Sequence, residues 1–228
     1  MRNPPLLIFD LDGTLVHSLP GIAASLNRAL AALDLPVHTE AAIRGFVGDG
    51  ARMLATRALP AGADESLIIR LEQDFKADYS STWEAGSLVF DGIPEMLAEL
   101  RALGARLAVL SNKPHPFTVA MVDRMFPESP FAMVLGQRPE IPHKPDPAGI
   151  REIVASLDAQ LQDAWMIGDS ATDLATARNA GIPAVAVSWG YRDRAELEAL
   201  EKAFLVDHPS LIVALAACLV RGDSFGAS

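Results

Sequence analysis

Leu6 to Phe9 form an unbroken apolar run, and Arg106 to Leu110 and Trp165 to Ile167 are two further short strand-like segments, each cut off by polar residues. Short runs without polar alternation predict central parallel strands covered on both faces. Between the first two runs the period changes. Helical patterns occupy Leu19 to Leu33, Ala51 to Ala58 and Glu65 to Trp83, with no strand among them. Alternation of strand and helix resumes near Gly92, with a helix from Ile93 to Leu103 leading into the second strand. The pattern predicts an α/β chain whose parallel sheet is interrupted once by a helical insertion. Val16 to Gly21 and Gly86 to Gly92, with their small residues and Pro20, are the expected linkers. Late in the chain, Leu211 to Val220 is too short to span a bilayer and reads as a buried helix. The polar stretch Arg221 to Ser228 is expected to be a disordered tail.

Each predicted strand ends in reactive side chains. The first ends in Asp10, Leu11, Asp12, Gly13 and Thr14, and the second in Ser111, Asn112, Lys113 and Pro114. The third ends in Gly168, Asp169 and Ser170, with Asp173 four residues after Asp169. Lys144 stands in the turn-like stretch Lys144, Pro145, Asp146, Pro147, just before a helical pattern. Parallel strands place their carboxyl ends on one sheet edge, where ligand sites of open α/β sheets lie. A carboxylate at the end of a buried strand costs several kcal/mol of desolvation unless a cation meets it. Several carboxylates in one pocket repel, and one or more takes up a proton unless a cation binds. Oxygen donors without a His or Cys cluster suit a hard ion such as Mg²⁺.

These four segments, in this order, resemble motifs one to four of the haloacid dehalogenase-like (HAD) phosphohydrolase superfamily. Within it the chain most resembles the phosphoglycolate phosphatases and their near relatives. The resemblance spans essentially the whole chain, including Asn179 to Pro183 and the Trp189, Gly190, Tyr191 turn. It implies a Rossmann-like core (the HAD fold) formed by residues 1–16 and 89–228, and a small helical cap formed by residues 17–88. It further implies that Asp10 and Asp169 hold Mg²⁺ by side chain, Asp12 by backbone carbonyl, and that Asp173 supports them. In the family's reaction Asp10 is the nucleophile, Asp12 the acid and base, and Lys144 a catalytic cation. Thr14, Ser111 and Asn112 are then the expected phosphate-binding residues. The cap is expected to read the rest of the substrate, with Gly48 and Arg52 in the Phe46 to Arg52 segment as specificity residues and Arg52 matched to a substrate carboxylate.

The resemblance also narrows the chemistry. Dehalogenases of this type lack an acid at the position of Asp12, and P-type ATPases carry Lys where this chain has Leu11. Phosphatases for nucleotides, pyrophosphate or sugar phosphates, and β-phosphoglucomutase-type mutases, share the motifs. A phospho-accepting signalling domain also gathers Asp, Ser/Thr and Lys around Mg²⁺, but lacks the helical insertion. Two positions depart from the pattern: His17 stands where an acidic residue is usual, and Asp91 where Pro is common. His17, His115 and His143 are expected to be linker or loop residues.

Composition sets the setting. The chain has 228 residues, with 19 Lys and Arg against 29 Asp and Glu, and the net charge of −10 argues against nucleic acid or an anionic membrane as partner. One cysteine, Cys218, permits no internal disulfide and suits a reducing compartment. The expectation is a cytoplasmic monomer or homodimer acting on a small phosphorylated metabolite.

Overall fold

A computed structural model describes residues 4–221. Six strands form one parallel sheet in the order β5-β4-β1-β6-β7-β8. They are β1 (Leu6–Phe9), β4 (Arg106–Pro114), β5 (Met133–Gln137), β6 (Ala164–Gly168), β7 (Ala184–Val187) and β8 (Phe204–Val206). The central position of β1 follows from its sequence, since Leu6, Leu7, Ile8 and Phe9 are all buried. Leu6 and Ile8 join Met166, Ile150 and Ile153 on one face, while Leu7 and Phe9 join Val109, Met96 and Met121 on the other. The helices α5 (Ile93–Ala102), α6 (His115–Met125) and α10 (Ser210–Arg221) cover the second face. The first face is covered by α7 (Ala148–Ser156), α8 (Ala171–Ala180) and α9 (Arg194–Glu198).

Four α-helices lie between the short antiparallel strands β2 (Val16–His17) and β3 (Leu88–Val89). These are α1 (Leu19–Ala32), α2 (Glu40–Phe46), α3 (Gly50–Ala58) and α4 (Glu65–Thr82). Leu26 and Leu30 of α1, Ile43 of α2, Leu54 of α3 and Leu71 and Phe75 of α4 bury a shared apolar centre. That centre runs on into the sheet's second face. The helix α2 is an addition to the expected pattern; it is short, and its Thr39 cap accepts the Ala42 N–H.

Strand β4 is longer than its apolar run. Ser111 to Pro114 continue it in extended form, with a shift of register before Pro114 pairs with Gln137 of β5. Part of the stretch from Gly136 to His143, which reads as a loop leading to Lys144, is the end of β5. The predicted tail keeps Arg221 in α10, and its remainder lies outside the described residues.

Candidate active site

Register decides which side chains meet. Phe9 pairs with Val109 on one side and Ile167 on the other, so Asp10, Leu110 and Gly168 reach the sheet edge together. The chain after β1 then folds back, with the Thr14, Leu15 and Val16 N–H groups converging on Leu11 O at 3.3, 3.0 and 3.0 Å. Gly13 makes this turn possible. Its φ is +86°, and a Cβ there would stand 2.5 Å from Asp169 Oδ2. The fold thus brings Asp169 against the loop that carries Asp10 and Asp12.

Lys144 lies in the middle of this group. Its ammonium donates to Asp173 Oδ1 at 2.7 Å and to Leu110 O at 3.0 Å, and pairs with Asp10 Oδ1 at 2.9 Å. The Leu11 N–H also donates to Asp10 Oδ1, at 2.7 Å. Asp173 is fixed by its place at the start of α8, where it and Ser170 form a reciprocal cap. Asp169 Oδ2 accepts the Tyr191 N–H at 2.7 Å, and Thr14 Oγ1 lies 3.4 Å from Asp169 Oδ1.

A second ammonium, from Lys113, sits beside Asp12. It reaches the two carboxylate oxygens at 3.1 and 3.2 Å and donates to the Tyr79 hydroxyl at 2.9 Å. It also lies 4.5 Å from the centre of the Tyr79 ring. Ser18 Oγ donates to Asp12 Oδ1, and the Tyr191 hydroxyl accepts the N–H groups of Ser18 and Leu19 at 2.9 and 3.1 Å. Two tyrosines from distant segments therefore frame the Asp12 carboxylate.

Charge in the cluster is unbalanced. Burial, with Asp173 close by, pushes Asp10 up to about 8 despite Lys144. Asp169 is pushed up to about 7 by burial and by Asp173. Burial alone would lower Lys144, yet Asp10 and Asp173 hold its ammonium above the ordinary range. Ionised together, the four carboxylates of Asp10, Asp12, Asp169 and Asp173 would exceed the two ammonium groups of Lys113 and Lys144 by two negative charges. That is the charge of one divalent cation. Asp10, Asp169 and Asp173 each offer an oxygen, all within 4.8 Å of one another and all buried. An all-oxygen donor set with surplus negative charge fits a hard divalent ion.

A cavity opens from Asp10 and Asp12 toward the inserted helices. Ser111, Asn112 and Lys113 line its inner side, and Ile22, Val47, Leu54, Phe75, Tyr79 and Phe117 line most of the rest. Gly48 and Gly50 complete the wall where the insertion meets the sheet edge.

The sequence profile of the family described as haloacid dehalogenase-like hydrolase matches residues 7–187. The chain belongs to this family. It is similar to a phosphoglycolate phosphatase of Rhodospirillum rubrum, with 41% identity over 82% of this chain and 81% of that one. A phosphoglycolate phosphatase of Mesorhizobium japonicum shares 36% identity, over 95% of this chain and 97% of the relative. A crystal structure from Lactobacillus delbrueckii subsp. bulgaricus superposes with a TM-score of 0.89 at 27% identity, covering 94% and 99% of the two chains.

In this haloacid dehalogenase-like hydrolase the expected site residues fall into two groups. Asp10, Asp12, Ser111, Lys144, Asp169 and Asp173 come together at the sheet edge. Asn112 is beside them but acts as a clip: its side chain accepts the Lys144 N–H at 2.8 Å and donates to the Lys144 and Gly48 carbonyls, both at 3.1 Å. Thr14 faces Asp169. Gly48 lines the cavity, and the loop it begins is held by Asp49, whose carboxylate accepts from Thr172 Oγ1 at 2.7 Å.

Arg52 does not join the lining. It turns to α4, where it donates to Glu72 at 3.2 Å and pairs with Glu65. His17 and His115 are more fixed than loop residues usually are: His17 is half-buried beside Phe90, and His115 Nδ1 accepts the Gly136 N–H at 3.1 Å. His143 is an exposed residue of the stretch before Lys144, as expected. Sequence reasoning missed Lys113 and Tyr79 as site residues. Lys113 carried a signal, since it directly follows Ser111 and Asn112; Tyr79 carried none, being one aromatic on a helix 34 residues away.

Proposed function

We propose that this chain is a Mg²⁺-dependent phosphomonoester hydrolase acting through a phosphorylated aspartate, with 2-phosphoglycolate as its substrate. The observation that carries the chemistry is the placement of two carboxylates with unlike partners at the end of one strand. Asp10 is paired with the deeply buried Lys144, and Asp12 stands at the cavity with Lys113 and Ser18. Two relatives that the chain matches over most of its length are phosphoglycolate phosphatases, which supports the substrate.

The steps follow from these positions. An Asp10 oxygen attacks phosphorus, the bond from phosphorus to the ester oxygen breaks, and Asp12 gives its proton to that oxygen. Water then attacks the phosphorus of the acyl phosphate and gives a proton to Asp12. The bond to Asp10 breaks, and phosphate leaves with the carboxylate restored. Lys144 and Ser111 at the sheet edge offset charge on the phosphoryl oxygens. Asp10 and Asp169, with Asp173 beside them, are the side chains that would hold Mg²⁺, and the resemblance adds the Asp12 carbonyl. Bound there, the ion supplies positive charge to an otherwise acidic pocket. The insertion acts as a cap whose Gly48–Asp49 loop, tied to Asn112 and Thr172, keeps bulk water from the acyl phosphate.

Phosphate release from 2-phosphoglycolate, a hexose phosphate, a nucleoside monophosphate and pyrophosphate, each with Mg²⁺ and with chelator, tests this reading. The expected result is Mg²⁺-dependent turnover with kcat/KM for 2-phosphoglycolate at least tenfold above the others. Equal rates on all four would overturn the substrate, and full activity in chelator would overturn the metal.

A further inference from the structure

A phosphorylated carboxylic acid brings two anionic groups into the site, and the cluster around Asp10 and Lys144 accounts only for the phosphate. The second anion must lie in the cavity, whose apolar lining comes from Ile22, Val47, Leu54 and Phe75 of the insertion and Phe117 of α6. Those apolar side chains offer a carboxylate no hydrogen bond, and burying an unpaired carboxylate among them is strongly disfavoured. The cation best matched by sequence, Arg52, is turned to Glu65 and Glu72. Lys144 is used by Asp10, Asp173 and Leu110 O. Arg57, close to the Gly48 loop, is paired with Asp49 and donates to Phe46 O. Among the described residues lining the cavity, Lys113 is the only cation.

We infer that Lys113 receives the substrate carboxylate and is the residue that selects an acidic leaving group. The inference rests on the phosphatase reading above. Its geometry suits a short substrate. Asp12 must reach the ester oxygen to protonate it, and the Lys113 ammonium lies 3.1 Å from Asp12 Oδ1. In 2-phosphoglycolate a single methylene separates the ester oxygen from the carboxylate carbon, so a carboxylate whose ester oxygen is at Asp12 falls beside Lys113. An ammonium has three hydrogens. In the structure they serve Asp12 and the Tyr79 hydroxyl; the substrate carboxylate takes over the direction now given to Tyr79. Tyr79 belongs to α4 and Lys113 to β4, so the selecting cation is held between cap and core.

The test compares 2-phosphoglycolate with ethyl phosphate, which has a methyl group in place of the carboxylate, on the Mg²⁺-loaded wild type, Lys113→Met and Lys113→Arg. Wild type is expected to prefer 2-phosphoglycolate. In Lys113→Met that preference, as a ratio of kcat/KM values, is expected to fall about 100-fold, mainly through KM. Both esters lose rate, because Lys113 also touches Asp12, but ethyl phosphate loses far less. Lys113→Arg is expected to retain part of the preference. Should Lys113→Met give no folded protein, Lys113→Gln is read by the same ratio. An unchanged ratio in the variant, whether both rates hold or both fall together, overturns the role of Lys113 and leaves the phosphatase reading intact. A wild type without any preference for the acidic ester overturns the substrate reading and this inference with it.

Discussion

Lys113 and Arg52 show what decides the use of a cation in this protein: not its distance in sequence from a loop, but which carboxylates reach it first. Arg52 projects from α3 toward α4, where Glu65 and Glu72 lie within hydrogen-bond range. The pairing is partly exposed, so it contributes little to stability, in the range of about 0–1 kcal/mol, but it is enough to turn the guanidinium away. Arg52→Ala is therefore expected to leave KM for 2-phosphoglycolate within about twofold of wild type. A KM raised tenfold would restore Arg52 to the substrate. Asp10, Asp12, Asp169 and Lys144 were legible in the sequence because each follows a strand or sits in a marked turn, and Asp173 because of its spacing from Asp169. Lys113 was visible in the same segment, but its role depends on Tyr79 and Asp12, contacts that span 34 and 101 residues of chain. Asn112 shows the converse: its motif position was legible, while its work as a clip between the Lys144 loop and Gly48 was not.

At the scale of elements, the strands that carry the site were readable because burial on both faces leaves an unbroken apolar signature. The helices α1, α3 and α4 begin and end close to their periodic patterns for the related reason that each buries one stripe. What escaped is short or mixed: α2, the four-residue strand β7, the edge strands β5 and β8, and the extension of β4 through Ser111, Asn112 and Lys113. Of that extension only Pro114 pairs with β5, across a shift of register after Leu110. The linkers show a further constraint of this kind. Gly21 at the start of α1 and Gly86 before β3 pass so close that a Cβ on Gly86 would stand 2.3 Å from the Gly21 nitrogen. Two glycines that suited any loop in the sequence are here the point where the chain enters and leaves the insertion.

Across the whole molecule, the sheet gathers carboxylates faster than it supplies ammonium groups, and this imbalance links metal binding to stability. Asp10 and Asp169 have folded-state values of about 8 and about 7 against an ordinary 3.8. Without a cation the folded protein holds protons that the unfolded chain has released. The sign follows directly: this contribution is fully present below the ordinary carboxylate range and is lost as pH rises through about 7 and 8. In chelator, Tm is expected to fall between pH 5 and pH 8.5. Saturating Mg²⁺ is expected to raise Tm by about 3–6 °C at pH 8 and by much less at pH 5, where it competes with protons. A Tm in chelator independent of pH, or one unaffected by Mg²⁺ at pH 8, would contradict the assignment of these aspartates to a cation. The same readout separates a loss of metal from a loss of chemistry.

The central claim is that phosphate passes through Asp10, and covalent capture tests it most directly. Wild type and Asp10→Asn are mixed with labelled 2-phosphoglycolate and Mg²⁺, quenched in acid within milliseconds, digested and examined by mass spectrometry. The account predicts an added phosphoryl group on the wild-type peptide bearing Asp10, and neither label nor turnover above background in the folded variant. Steady turnover by Asp10→Asn, or a phosphoryl group found on another residue, would contradict it.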